Sequence, residues 1–226
     1  MSRRPFILAI DGPAGAGKST TARAVASALG FSYLDSGALY RCVALAALEQ
    51  GVATDDDAAL GALATGLEIR QTAAGRFLLG GQDVSGRIRS PEVSQAASKS
   101  SACPSVRRAL VGIQRGAVSP PGTVAEGRDI GTVIFPDADL KVFLDADPPE
   151  RARRRELELT AKAAAPEAVA RVRDEMAERD RRDTTRSIAP LARAADALVL
   201  DTTFLTLDEV VARIVDEVDR RRRNST

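Results

Sequence analysis

FILAIDGPAGAGKSTTARAVASALG, residues 6–30, decides the fold class. It opens with a short apolar run, FILAI (6–10), which reads as a buried strand ended by Asp11 and Gly12. GPAGAGKS (12–19) follows and fits GxxxxGK[ST]. Residues 18–29 then carry helical periodicity, with Gly30 as the stop signal. Strand, glycine-rich turn and helix in that order form a phosphate-binding loop. Glycines let the backbone wrap an oxyanion, successive N–H groups point inward, and the helix N-terminus adds positive potential. Gly12, Pro13, Ala14, Gly15, Ala16, Gly17, Lys18, Ser19 and Thr20 are therefore expected to hold the phosphates of a nucleoside triphosphate. Lys18 reaches for the β- and γ-phosphates, and the Ser19 hydroxyl faces Mg²⁺. The plainer alternative is a glycine-rich turn with no ligand. A dinucleotide-type GxGxxG reading fails, because Gly15 and Gly17 are followed by Thr20.

Outward from this unit the alternation continues. FSYL (31–34), TVAE (123–126), LKVFLDA (140–146) and ALVL (197–200) are strand candidates separated by helical stretches, among them a long apolar helix over 37–50. That rhythm implies a parallel sheet with helices on both faces. Residues 67–84 break it and predict a hairpin with Gly75 in the turn, an insert carried by the main domain. Residues 150–182 predict a helix–turn–helix excursion, and a final helix over 206–223 ends in RRRR, read as a solvated tail.

Composition narrows the function. The chain has 226 residues, 44% hydrophobic, enough for a single domain with a substantial core. Formal charge is +1, which argues against a protein living on nucleic-acid backbones, as does the shortage of aromatic residues for base stacking. Histidine is absent, so histidine-based triads and His-ligated metals are excluded. Cys42 and Cys103 fit no metal pattern and read as buried thiols in a reducing compartment. The first apolar run is too short for a signal peptide, and no stretch reaches the length of a membrane span. A cytoplasmic protein without a membrane partner is expected. The sole asparagine is Asn224, which removes the guanine-reading NKxD motif, and the missing histidine removes a protein-kinase HRD loop. An ATPase motor, a translocase or a small-molecule kinase remains.

Four of the 32 basic residues are lysine, and codon bias accounts for most of that imbalance. Arginine nevertheless makes forked contacts to phosphate. A phosphate acceptor is already an oxyanion at neutral pH and needs no strong base. It needs cations on several elements to bring two polyanions together. Asp35, Ser36 and Arg41 follow the second strand, and Arg128 and Asp129 follow the third. Ligands of open α/β sheets bind at such strand ends. Arg179, Asp183 and Arg186 share one side of a helix, either as a binding stripe or as ordinary helix pairing. Asp145 is either a Walker-B-type carboxylate or a strand-end turn residue.

GPAGAGKST, YLDSGALYR, DVSGRIRSPEVS, EGRDIGTVIFPDADLKVFLDA, ERARRR, ERDRRDTTR with APL, and LVLDTT occur in this order over nearly the whole chain. Together they resemble the bacterial cytidylate kinase family. The resemblance implies an α/β P-loop NTPase fold, with a five-stranded parallel sheet flanked by helices, a small β-containing NMP-binding insert and a helical LID. It implies one kinase domain, with a CORE of 1–36, 104–150 and 184–226, an NMP-binding region of 37–103 and a LID of 151–183. It implies transfer of the γ-phosphoryl of ATP to CMP or dCMP with Mg²⁺, by a monomer that takes no nucleic acid. By the same resemblance, Arg41 and Arg128 hold the acceptor phosphate. Ser98, Arg107 and Asp129 surround cytosine, and Ser36, Arg179 and Asp183 lie near the sugar and its phosphate, with Arg186 completing the pocket. Lys18, Arg128, Arg154 and Arg179 are the expected catalytic cations, Arg154 being drawn from the arginines of ERARRR. Ala163 stands where the family's glycine is expected. The alternatives are a UMP or AMP kinase, or an arginine-rich nucleic-acid-binding module.

Overall fold

A computed structural model of the chain describes residues 4–72, 74–161 and 166–224. Strand β1 (Phe6–Asp11) lies at the centre of a parallel sheet, and the phosphate loop leaves its carboxyl end to open α1 (Lys18–Leu29). Strand β2 (Ser32–Asp35) runs into α2 (Ser36–Gln50), followed by α3 (Asp57–Gly66). Next comes an insert of three short antiparallel strands, β3 (Ile69–Gln71), β4 (Phe77–Leu79) and β5 (Gln82–Asp83). The predicted hairpin is thus a three-stranded meander. The β3–β4 turn holds Gly75 at φ 75°, as the sequence suggests. Helices α4 (Pro91–Ser100) and α5 (Pro104–Gly116) lead back to β6 (Gly122–Gly127) and β7 (Leu140–Asp145). The predicted helix–turn–helix resolves into three helices, α6 (Pro148–Ala161), α7 (Pro166–Ala170) and α8 (Val172–Thr185). Strand β8 (Leu198–Asp201) and α9 (Leu207–Asn224) end the chain. Ala163 lies outside the described residues.

The main sheet is five-stranded and parallel, in the order β2-β6-β1-β7-β8. Both faces are covered, so its strands read as continuous apolar runs. In β1, Leu8 and Ile10 pack with Val25 of α1 and Ile214 of α9. Ala9, between them, faces the opposite layer, formed by Leu34, Ala125 and helices α2 to α5. Each fully buried Leu or Ile contributes about 2 kcal/mol, more than the ~1 kcal/mol of a helix cap. Packing against the sheet therefore sets the helices, and the caps set their ends. Asp35 caps α2 by accepting the Ala38 N–H at 2.9 Å.

Every strand of the sheet ends on the same side, which gathers Asp11, Asp35, Gly127 and Asp145 at one rim. Glycine is required there twice. A Cβ on Gly12 (φ 150°) would fall 2.0 Å from the Leu144 carbonyl oxygen, and one on Gly127 2.5 Å from Ser36 Oγ. The first sets the loop after β1 against β7, and the second sets the end of β6 against the start of α2.

Candidate active site

The phosphate loop turns on left-handed glycines at 15 and 17, with φ of 75° and 87°. Gly17 caps α1, so Lys18 is the first helical residue and its side chain folds back across the loop. Its ammonium donates to the Pro13 carbonyl oxygen at 2.6 Å. Lys18 is 6% exposed. Burial, then the neighbouring Arg128 guanidinium, pushes it down to about 7, against the pull of Glu126. Ser19 Oγ donates to Glu126 Oε1, and the Tyr33 hydroxyl donates to the same oxygen at 2.8 Å. Asp145 is exposed and accepts the N–H of Ala146 at 2.9 Å, as a strand-end turn residue does. The carboxylate facing Ser19 is Glu126, at the end of β6. Thr20 is exposed on the first turn of α1.

Asp11 closes the loop from below. Its two oxygens accept the N–H groups of Ile130 at 2.8 Å and Gly131 at 2.7 Å. Burial raises its carboxyl to about 6, and the two backbone bonds oppose that rise. The bonds hold the EGRDIGT turn directly beside the phosphate loop.

That turn presents two arginine–carboxylate groups. Arg128 Nε donates to Asp183 Oδ2 at 2.8 Å, and Arg179 Nε stands 3.9 Å from the same oxygen. One residue on, Asp129 pairs with Arg107 through one oxygen and with Arg186 at 3.4 Å through the other. Arg107 also donates to the Ser101 carbonyl oxygen at 3.0 Å and stacks 5.5 Å above the Tyr40 ring. The stripe predicted from spacing therefore folds onto the β6 turn, with Asp183 buried between guanidiniums. Burial opposes ionisation of Asp183, but Arg128, Arg179 and Arg186 together hold its carboxyl below the ordinary range. Arg179 is lowered to about 10, first by burial and then by Arg128. Ala189 adopts a left-handed φ of 49°, and its carbonyl oxygen accepts Arg186 Nε at 2.6 Å.

A third group lies at the start of α2. Arg41 donates to both oxygens of Asp35, at 3.3 and 3.2 Å, and Arg89 reaches the same carboxylate at 2.9 Å from the turn before α4. Ser36 Oγ donates to the Glu126 carbonyl oxygen at 2.7 Å, and Ser98 is buried on α4. Among the described residues, the buried side-chain atoms without a hydrogen-bond partner include Arg41 Nε, Ser98 Oγ and Arg179 Nε. All three belong to residues expected at the site; Tyr40 Oη and Thr132 Oγ1 are the other two such atoms.

Arg154, expected among the catalytic cations, faces the end of β8. It donates to Glu150 at 2.9 Å, to Thr202 Oγ1 at 3.0 Å and to the Thr202 carbonyl oxygen at 2.5 Å, which binds α6 to the end of β8. Helical phase points it toward that loop, and the residue of ERARRR that touches the phosphate loop is Arg151. Arg153 and Arg155 are paired with Glu150 and Glu158 along the helix. Asp11, Arg89, Glu126 and Asp180 are the contributors to which sequence reasoning gave no role of their own, and Arg151 was one of four ERARRR arginines among which it did not choose. An acidic residue ending a predicted strand was the available signal for Asp11 and Glu126.

The strand-end rim thus carries a phosphate loop and, beside it, paired guanidiniums. The family model for cytidylate kinase matches residues 8–220. The chain belongs to the cytidylate kinase family. A cytidylate kinase from Methylococcus capsulatus is 52% identical over 91% of this chain and 93% of its own. One from Solibacter usitatus is 51% identical over 98% and 96%, and one from Vibrio parahaemolyticus 47% over 98% and 99%. A solved structure of an uncharacterized protein from Eubacterium ventriosum shares the fold, with a TM-score of 0.51 at 12% identity, covering 95% of this chain and 98% of that one. Membership gives the rim a phosphotransfer setting, with ATP as the phosphoryl donor. Among the described residues, no helix is long and apolar enough to cross a membrane.

Proposed function

We propose that this chain transfers the γ-phosphoryl group of ATP to CMP or dCMP, giving CDP or dCDP. A phosphate oxygen of the acceptor attacks the γ-phosphorus, the bond from that phosphorus to the β–γ bridging oxygen breaks, and ADP leaves. The acceptor oxygen is already anionic, so no general base is needed, in keeping with a chain that has no histidine. The observation that carries the proposal is the meeting of Arg128, Asp183 and Arg179 beside Lys18. Asp11, at the end of β1, holds the turn that carries Arg128 against the loop through the Ile130 and Gly131 N–H groups, and Arg128 and Arg179 share Asp183. One electrostatic neighbourhood therefore spans the donor loop and the acceptor groups.

Roles follow from chemistry. Lys18 and the N–H groups of the loop take the donor phosphates. Arg41 and Arg128 take the acceptor phosphate, with Arg179 beside the transferred group. Asp183 accepts from the sugar hydroxyls, and Ser36 and Arg186 close that side. The cytosine 4-amino group is a donor and needs the Asp129 carboxylate. O2 and N3 are acceptors and need Arg107 and Ser98. Ser19 Oγ and Glu126 form an oxygen donor set of the kind Mg²⁺ prefers, directly or through its waters. When bound, the ion would neutralise charge between the β- and γ-phosphates. The CORE, NMP-binding and LID division is proposed along with the activity, as are a monomeric state and a cytoplasmic location.

A coupled assay across CMP, dCMP, UMP, AMP and GMP tests the acceptor. A pocket built to hydrogen-bond one base edge discriminates strongly against mismatched ones. CMP or dCMP is expected to exceed the other three in kcat/KM by about 100-fold or more. Faster turnover of UMP or AMP would overturn the base assignment.

A further inference from the structure

Arg151 and Asp180 have no place in the donor and acceptor roles above, yet both touch the phosphate loop. Asp180 Oδ1 accepts the Ala14 N–H at 3.0 Å, from α8. Arg151 donates to the Ala14 carbonyl oxygen at 2.8 Å and to the Ala146 carbonyl oxygen at 3.0 Å, from α6. The two side chains also pair with each other. The peptide groups on both sides of Ala14 are thus held from outside, one by α6 and one by α8. The same helices press on the next residue. A Cβ at Gly15 would lie 2.7 Å from Met176 Cε and 3.0 Å from Arg151 Cβ. Asp180 and Arg151 are largely buried, with side chains 18% and 10% exposed.

A loop turning on left-handed glycines has few side chains of its own to hold its shape. We infer that Asp180 is a positioning residue that fixes Arg151 against Ala14, so that the phosphate loop and the two lid helices close on the donor triphosphate as one body. This rests on the phosphotransfer reading. Arg151 carries the contact because Arg153, Arg154 and Arg155 are engaged with Glu150, Thr202 and Glu158. Removing the Asp180 charge leaves the Arg151 guanidinium buried beside a loop carbonyl, with no anion to hold it until the triphosphate arrives. The donor side then weakens, while the acceptor groups on β6 and α2 keep their partners.

Asp180→Asn separates these effects. The amide oxygen still accepts the Ala14 N–H, but its NH₂ faces the guanidinium as donor against donor. The expected result is an ATP dissociation constant about tenfold weaker by calorimetry and kcat about tenfold lower. CMP affinity measured without ATP stays within about twofold, since Arg128, Arg41 and Asp129 keep Asp183, Asp35 and Arg107 as partners and Asp180 reaches that side only through its charge on neighbouring Arg179. In an Arg151→Met background, Asp180→Asn adds no further loss of ATP affinity. Unchanged ATP affinity in the single variant would overturn the inference. So would equal loss of ATP and CMP affinity, or additive losses in the double variant. Unchanged CMP affinity also reports an intact fold. Because ATP binding is read without an acceptor, wild-type enzyme that bound ATP but left CMP untouched would refute the proposed acceptor and leave this test standing.

Discussion

Lys18→Ala lowers kcat for CMP phosphorylation by about a thousandfold or more, because it deletes a preorganised charge aimed at the transferring phosphoryl. The fold survives. In the wild type the ammonium is buried, opposed by Arg128, and hydrogen-bonded to Pro13, so its removal relieves charge repulsion as it loses a bond. A melting temperature within a few degrees of wild type, roughly 1 kcal/mol in a chain of this size, is the expected companion result. The same environment sets a pH signature. The amine loses its proton near pH 7 in the free enzyme, and the triphosphate's negative charge raises that value in the complex. Binding ATP above pH 7 therefore takes up a proton, and affinity weakens as the pH rises above 7. Calorimetry at pH 8 in two buffers of different ionisation enthalpy measures the uptake. Lys18→Ala abolishes it; uptake that persists in the variant would assign the proton elsewhere.

Asp183→Ala carries the second large effect. The carboxylate is the shared anion of Arg128 and Arg179, and Asp183 is 4% exposed. Breaking such a buried pair costs about 3–5 kcal/mol, a large share of the roughly 5–15 kcal/mol that holds a domain folded. A fall in melting temperature of about 10 °C follows from the size of the chain. Catalysis falls by about 100-fold or more, since Arg128 and Arg179 are left repelling each other and lose their aim. If the carboxylate also meets the 2′-hydroxyl, the loss is larger for CMP than for dCMP; equal losses refute that contact. Asp183→Asn keeps the shape and serves where the alanine variant melts too low. The stabilising charge also has a pH window. The folded value lies below the ordinary 3.8, so the contribution is complete above about pH 4 and is lost as the pH falls through the lowered value.

The phosphate loop was legible in the sequence because everything it needs is local: a strand, glycines at fixed offsets, then a helix. The arginines were legible as a population and, in the stripe at 179, 183 and 186, as a face. Their partners were not, because pairing is a tertiary fact. Asp183 meets Arg128 across 55 positions, Glu126 meets Ser19 across 107, and Asp180 meets Ala14 across 166. In its own neighbourhood each carboxylate looks like a strand end or a charged helix residue. Which of Arg151 and Arg154 meets the phosphate loop was not legible for the same reason. They stand three apart on α6, and only the packing of that helix decides which meets Ala14 and which meets Thr202. The insert was read as a hairpin because β5, Gln82–Asp83, is two exposed polar residues with no strand signature.

The central claim is that fixed guanidiniums and one ammonium bring two mutually repelling nucleotides into line. A crystal structure with CMP and a non-hydrolysable ATP analogue tests it most directly. The predicted result has the acceptor phosphate between Arg41 and Arg128, one of its oxygens about 3–3.5 Å from the γ-phosphorus, and the base against Ser98, Arg107 and Asp129. CMP seated away from the phosphate loop, with Arg41 and Arg128 still turned onto Asp35 and Asp183, would contradict it.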